Sequence, residues 1–364
     1  MLMLDRTDPY ARHSGRLLRA LPTLLALFAL GAAVGASAQT SPLSYTIEDR
    51  GLSLVRTLVN TPGFNSHGDL AIWYPLDTGL MGGVIFHGKE RSAFGGDKDY
   101  SLVYPSAISD DMTVAGSLQK PQDLRFTRAF RWSNGKLNLL KTLGGLYSTG
   151  NAMNNTGDVA GSSQLSDGTR HAVVWHAEQP KDLGVFVGGD YSNARGINDR
   201  GEVVGDANIE PNGRPKAFAW YDGKMRQLRD REGGTFCSAQ AVNNRGDVVG
   251  SCDLPNGSGQ GVLWKNGRPI DLGTLGDDDA PSTALDINDH GEVVGSSEVT
   301  DGKLRAFLWT DNKMYDLNSA VPSNSGWLLM AASRINKAGE IAGRGFYNGG
   351  IHAFVLHPER STKK

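Results

Sequence analysis

The chain has 364 residues, a formal charge of −2, 47 Gly and two Cys. A near-neutral chain without a basic stripe excludes the usual electrostatics of a nucleic-acid binder. No long helical periodicity is present, and short apolar runs broken by Gly-rich turns predict an all-β fold.

The first 38 residues read as a signal peptide. Arg6, Arg12, Arg16 and Arg19 form a basic region, residues 21–34 form an apolar stretch too short for a comfortable span, and Ala36-Ser37-Ala38 is a small-residue cleavage site. Cleavage before Gln39 removes four Arg and two Asp and takes the formal charge from −2 to −4. The alternative is an uncleaved anchor. Cleavage implies a periplasmic or extracellular protein with no later membrane span. Residues 39–43 form a short tether.

From residue 44 the chain repeats. Ile197-Asn198-Asp199-Arg200-Gly201-Glu202-Val203-Val204-Gly205 is nearly duplicated at 242–250 and 287–295, with further copies at 64–72, 108–116, 153–161 and 335–343. The central Gly position falls at 68, 112 (a Met), 157, 201, 246, 291 and 339, spacings of 44 to 48 residues. Asn-x-x-Gly between apolar runs is turn chemistry, and Val-Val after it favours a strand. About 15 residues later comes an apolar run that ends in Trp132, Trp175, Trp220, Trp264 or Trp309 in five copies, and a third strand signal such as Asp182-Leu183-Gly184 follows.

Seven units of about 45 residues with four short strands each predict a seven-bladed β-propeller over 44–358. An open solenoid is the alternative, but it needs polar caps that are not apparent. The last unit ends at Phe354-Val355-Leu356 without a closing strand, whereas Tyr45-Thr46-Ile47 resembles one. The N-terminal strand is therefore expected to complete the last blade and close the ring. Residues 119–126 read as a surface-loop insertion in blade two, and 359–364 as a disordered tail.

These units resemble the extracellular HAF repeat, named for a His-Ala-Phe tripeptide. His352-Ala353-Phe354 matches it, Arg128-Ala129-Phe130, Lys216-Ala217-Phe218 and Arg305-Ala306-Phe307 come near, and Asp-Leu-Gly-Thr-Leu-Gly stands intact at 271–276. The resemblance implies an exported bacterial protein with a propeller fold and supplies no catalytic motif.

Cys237 and Cys252 flank the turn at 243–246. If Val242 opposes Asp247, the same register sets the two cysteines directly opposite. Opposed strand positions lie within disulfide reach, so Cys237–Cys252 is expected to be a disulfide.

Several positions invite a functional reading. The five repeated Trp suit either a sugar-stacking ring or packing between blades. The acidic residue after the turn Gly (Asp69, Asp158, Glu202, Asp247, Glu292, Glu340) suits a cation ring or a solvated strand start. Two residues before the turn Asn stand Gly63, Ala107, Ala152, Gly196 and Ala241, then Asp286 and Arg334. The small residues suggest a crowded site near the axis, and Asp286 with Arg334 suits an ion pair or a polar ligand spot. The long connections carry Asp97, Asp99, Tyr100, Asp190, Tyr191, Asp277 and Asp278 on one face, where loops on a rigid scaffold often bind. Residues 277–279 suit a Ca²⁺ or a solvated loop. No metal-ligand spacing, paired acid and base, or nucleophile motif is evident, so no cofactor and no catalytic residue is assigned. The expected function is a non-catalytic binding or scaffold module for a protein or cell-surface glycan. The alternatives are a polysaccharide lyase or hydrolase at the propeller mouth, or a structural envelope or matrix component.

Overall fold

The computed structural model describes residues 44–52, 62–76, 81–95, 102–120 and 123–359. The expected signal segment and tether, Asp97, Asp99, Tyr100 and residues 360–364 lie outside them. The described residues all fall in one compact unit.

Among the described residues, twenty-eight strands form seven four-stranded antiparallel sheets. Blades one to six span residues 63–94, 102–139, 144–184, 192–227, 237–271 and 282–316, and blade seven combines 328–358 with 45–52. The first strand of each blade touches the first strand of the next, and the circuit closes between Leu328–Ile335 and Gly63–Phe64. This is the seven-bladed propeller that the period predicts, with first strands innermost.

The ring closes as expected. Tyr45–Leu52 pairs antiparallel with Gly350–Pro358, Tyr45 facing Pro358 and Asp49 facing Phe354. Tyr45 is buried, and its amide donates to the Ala320 carbonyl at 2.8 Å. The Arg50 guanidinium reaches the Gly88 carbonyl in blade one, and it pairs with Glu48 at 2.9 Å. His352 contacts Asp49 at 2.9 Å and His357 contacts Glu48 at 3.2 Å. The closing strand is thus held along its own edge and also across to blade one.

The inner hairpin of blade five shows why the disulfide forms. Val242 faces Val248, one residue later than the simple turn register. A bulge at Gln240 between Ala239 and Ala241 shifts the pairing back, so Cys237 faces Cys252. The two bond, with Cα atoms 4.1 Å apart. The bulge therefore restores the opposition of the two cysteines. Equivalent bulges recur in the inner strands of blades two, three, four, six and seven. They bring one backbone against another at the last Gly of the motif: a Cβ on Gly161 would lie 1.8 Å from the Thr149 carbonyl oxygen. Blade one has Ile72 there, and its described inner strand is only Gly63–Phe64.

The core lies between blades. One cluster joins Ala115, Ala129 and Leu140 of blade two to Val159, Val173 and Trp175 of blade three. A fully buried side chain of Phe size or larger contributes about 3 kcal/mol. Trp175 and Trp264 are fully buried, and their indole N–H groups donate to the preceding blade's Lys141 and Arg229 carbonyls at 2.6 and 2.9 Å. These two are inter-blade fasteners, with no face left to stack a sugar. Trp220 and Trp309 are also buried.

The insertion at 119–126 is not a surface loop. It lengthens the hairpin of Val114–Lys120 and Asp123–Ser133, with Lys120 opposite Asp123. Leu118 and Thr127, which flank the inserted segment at its base, are buried. Among the described residues no helix is long and apolar enough to cross a membrane.

Candidate functional site

The turns of all seven inner hairpins meet on the axis and line a cavity of about 320 Å³. Each turn Asn has two jobs there. In blade four the Oδ1 of Asn198 accepts from the amides of Arg200 and Glu202 at 3.1 and 3.0 Å, which fixes its own turn. Its Nδ2 donates to the Asn243 carbonyl of the next blade at 2.9 Å. Asn154 reaches Asn198 in the same way at 3.2 Å, Asn243 reaches Asn288 at 3.0 Å, Asn288 reaches Asn336 at 3.2 Å, Asn336 reaches Asn65 at 3.2 Å and Asn65 reaches Ser109 at 3.1 Å. The ladder breaks once, after blade two, because the Ser109 hydroxyl turns instead to Asp111 and to the Thr113 carbonyl.

The next residue of each turn forms a second ladder that runs the same way with the roles exchanged, backbone amide to side chain. The backbone amide of Ser66 donates to Asp110 at 2.9 Å, Asp110 to Asn155 at 3.3 Å, Asn155 to Asp199 at 2.8 Å, Asp199 to Asn244 at 2.9 Å and Asn244 to Asp289 at 2.8 Å. It spans the seam that Ser109 leaves open. It stops at blade seven, where Lys337 occupies the position. The mouth is therefore a rigid polar ring with Asp110, Asp199, Asp289 and Lys337 as its charges.

The acidic residues after the turn Gly are not simply solvated strand starts. Asp69 is buried, and it accepts from Asn65 Nδ2 at 2.8 Å. Glu202, Asp247, Glu292 and Glu340 accept from their own turn Asn at 3.2, 3.3, 2.6 and 2.7 Å. They hold the amide that bridges to the next blade. Among the described residues no three His, Cys, Asp or Glu side chains are grouped to hold a metal.

Above the mouth the inner strands form a narrow waist. A Cβ on Gly63 would lie 2.6 Å from the Ala107 carbonyl carbon, which accounts for the small residues at that position. Asp286 and Arg334 occupy this waist in adjacent blades. Asp286 accepts from the Ile335 amide at 3.0 Å, and Arg334 donates to the Ser333 and Ser106 carbonyls at 3.1 and 3.3 Å. Arg334 thus reaches from blade seven past blade one to blade two. Burial pushes the Asp286 carboxyl up, and the Arg334 charge and backbone amides offset part of that rise. Burial likewise lowers Arg334, opposed by Asp286.

The loop candidates separate. Asp190 accepts from Asn208 Nδ2 at 2.6 Å, while the amides of Asp190 and Tyr191 both donate to Asn208 Oδ1 at 2.9 Å. Burial first, then the nearby Asp206, pushes the Tyr191 hydroxyl up to about 12. Both residues tie the connection after blade three to Asn208 of blade four, and Tyr191 also bridges to Arg170 of blade three. Asp277 and Asp278 are exposed between blades five and six, where their backbone carbonyls accept from Thr274 at 2.9 Å and Gln260 at 2.6 Å. They do not share a seam with Asp190 and Tyr191. Sequence reasoning recognised the turn Asn residues but not their meeting in a ring; the only signal was their recurrence at a constant offset.

No protein-family model matches the chain, and no curated protein matches it. Solved structures do. The β-propeller domain of the trilobed protease from Pyrococcus furiosus, described as having an open velcro topology, is similar with a TM-score of 0.54 at 11% identity, over 88% of this chain and 99% of that one. A chain of a mitotic checkpoint complex gives 0.53 at 12%, over 93% and 99%. A puromycin hydrolase mutant gives 0.50 at 11%, over 85% of this chain and 52% of the hydrolase. At such identities the likeness establishes the propeller fold alone. The strand pairing of Tyr45–Leu52 closes this ring.

Proposed function

We propose that the chain is an exported, non-catalytic binding module that receives a polar group of a cell-surface glycan or protein partner in its axial mouth. The observation that carries the proposal is the cavity of about 320 Å³ lined by residues from all seven blades and braced by two hydrogen-bond ladders. Such a site is preorganised, so a ligand would bind without first ordering its walls. The lining residues include Asn, Asp, Ser, Lys and apolar side chains but no His, Tyr, Cys or Glu. The mouth carboxylates tie one blade to the next, which supports recognition over acid–base chemistry. Export is supported by the leader-like first 38 residues and by the disulfide, which belongs in an oxidising compartment. The HAF-type repeats support the same assignment.

The test is a thermal-shift screen of residues 39–364 against oligosaccharides, peptidoglycan fragments, Ca²⁺ and Mg²⁺, repeated with Asp199→Arg, which fills the mouth. A ligand of the mouth raises the melting temperature of the native protein, and the variant abolishes that rise. Stabilisation that survives in the variant would refute the mouth as the site.

A second reading has its own observation. Leu146, Val187 and Ile209 are exposed, each near a turn on the face opposite the mouth, and Val187 and Ile209 lie on touching loops. Exposed apolar groups of this kind suit a protein partner. Loss of partner capture in Val187→Asp, with Asp199→Arg silent, would favour that face.

A further inference from the structure

We propose that the mouth selects a zwitterion, an amino acid or short peptide end bearing both ammonium and carboxylate, and that Lys337 receives the carboxylate. This rests on the binding role proposed for the mouth.

Six of the seven equivalent rim positions hold Ser, Asp or Asn. Five of those residues (Asp110, Asn155, Asp199, Asn244 and Asp289) accept the preceding blade's amide. A lysine ammonium has three donors and no acceptor. Lys337 therefore ends the ladder and leaves no side-chain acceptor there for Asp289. No local ion pair compensates. Lys337 is exposed, lines the cavity, and has no hydrogen bond or ion pair among the described residues. The cations one residue further along their turns are engaged, Arg200 with Glu202 at 3.1 Å and Arg245 with Asp247 at 2.8 Å.

In a ring of seven, the seventh blade faces the third and fourth across the axis. Opposite Lys337 stand Asn155 and Asp199. The Asp199 carboxylate is exposed and accepts three N–H bonds from Asn155 and Asn244, which leaves it a lone pair for a ligand donor. The cavity thus has a cation on one wall and a carboxylate on the other. Three Asp against one Lys disfavour a bare anion, and a bare cation leaves Lys337 unmatched. At about 30 Å³ per water, the cavity holds the volume of about ten waters, enough for an amino acid or a dipeptide.

The experiment is isothermal titration of residues 39–364 with L-alanyl-L-alanine, its C-terminal amide and its N-acetyl derivative. The dipeptide should bind, and each blocked form should bind at least about tenfold more weakly. Lys337→Ala should lose about tenfold for the dipeptide while leaving the amide unchanged, and Lys337→Arg should restore binding. Equal affinity for dipeptide and amide, or no effect of Lys337→Ala, would make Lys337 a solvated surface lysine and overturn the proposal. If the dipeptide fails while another ligand still depends on Asp199, the zwitterion is wrong and the mouth remains a binding site. If no ligand depends on Asp199, both fail.

Discussion

Replacing Asn198 with Ala removes one rung of the inner ladder without touching the apolar core. Asn198 is buried. It loses two acceptor bonds to its own turn at 3.1 and 3.0 Å, one donor bond to blade five at 2.9 Å and one donor bond to Glu202 at 3.2 Å. A net contribution of about 1 kcal/mol per bond gives a cost of about 4 kcal/mol. The Asn243 carbonyl keeps the Gly246 amide and Glu202 keeps Arg200 as partners, so no buried acceptor is orphaned to add to that cost. An unfolding entropy of about 2.1 cal/mol/K per residue over the propeller makes this a fall of about 6 °C in melting temperature. Ser109→Ala is the control, because that copy makes no bond to the next blade through its side chain and should cost about 1 kcal/mol. Scanning calorimetry and urea titration on both variants decide the matter. Equal losses for the two, or a loss below about 1 °C for Asn198→Ala, would refute the ladder as a source of stability.

Met112 holds a turn position at φ 66°, where the other copies have Gly. Met112→Gly should therefore raise stability by about 1 kcal/mol, read as a higher urea midpoint at unchanged slope. Cys237→Ser with Cys252→Ser opens a loop of 15 residues and should cost about 3 kcal/mol, while thiol labelling of the unreduced native protein should find no free thiol. Burial first, then the charge of Glu292, raises the Tyr45 hydroxyl above its ordinary value of 10.0. A raised folded value means that its stabilisation is complete below pH 10 and is lost as pH rises beyond it. Tyr45→Phe should flatten the alkaline loss of stability, measured by reversible denaturation between pH 9 and 11; an unchanged slope would assign that loss elsewhere. Asp286→Ala and Arg334→Ala should be non-additive by about 0.5–3 kcal/mol in a double-mutant cycle, and additivity would show that the two do not act on each other.

Much of the fold was legible because it is periodic. The Asn-x-x-Gly turns, the Trp positions and a missing last strand are read from one stretch at a time, and they imply seven blades and an N-terminal closure. The cysteine pairing was legible for a weaker reason. Two shifts of one residue, at the turn and at Gln240, cancel, and no local pattern announces either. The insertion at 119–126 misled because polar residues in a chain look the same in a loop and in a longer hairpin; only the pairing of Lys120 with Asp123 separates them.

The candidate site divides in the same way. Sequence marked Asp286 and Arg334 by their departure from small neighbours, and both lie in the waist. It marked Asp190 and Tyr191 for binding, whereas the fold spends them on the Asn208 seam. By itself the sequence determined the repeat, the turn chemistry and the ring closure, because each follows from spacing and local backbone preference. Only the tertiary structure decided that Asn198 bonds to Asn243, that the two ladders cover different gaps, and that Lys337 lines the same mouth as Asp199. Those relations join residues at least one full repeat apart, and they exist only once the blades have been bent into a closed circle.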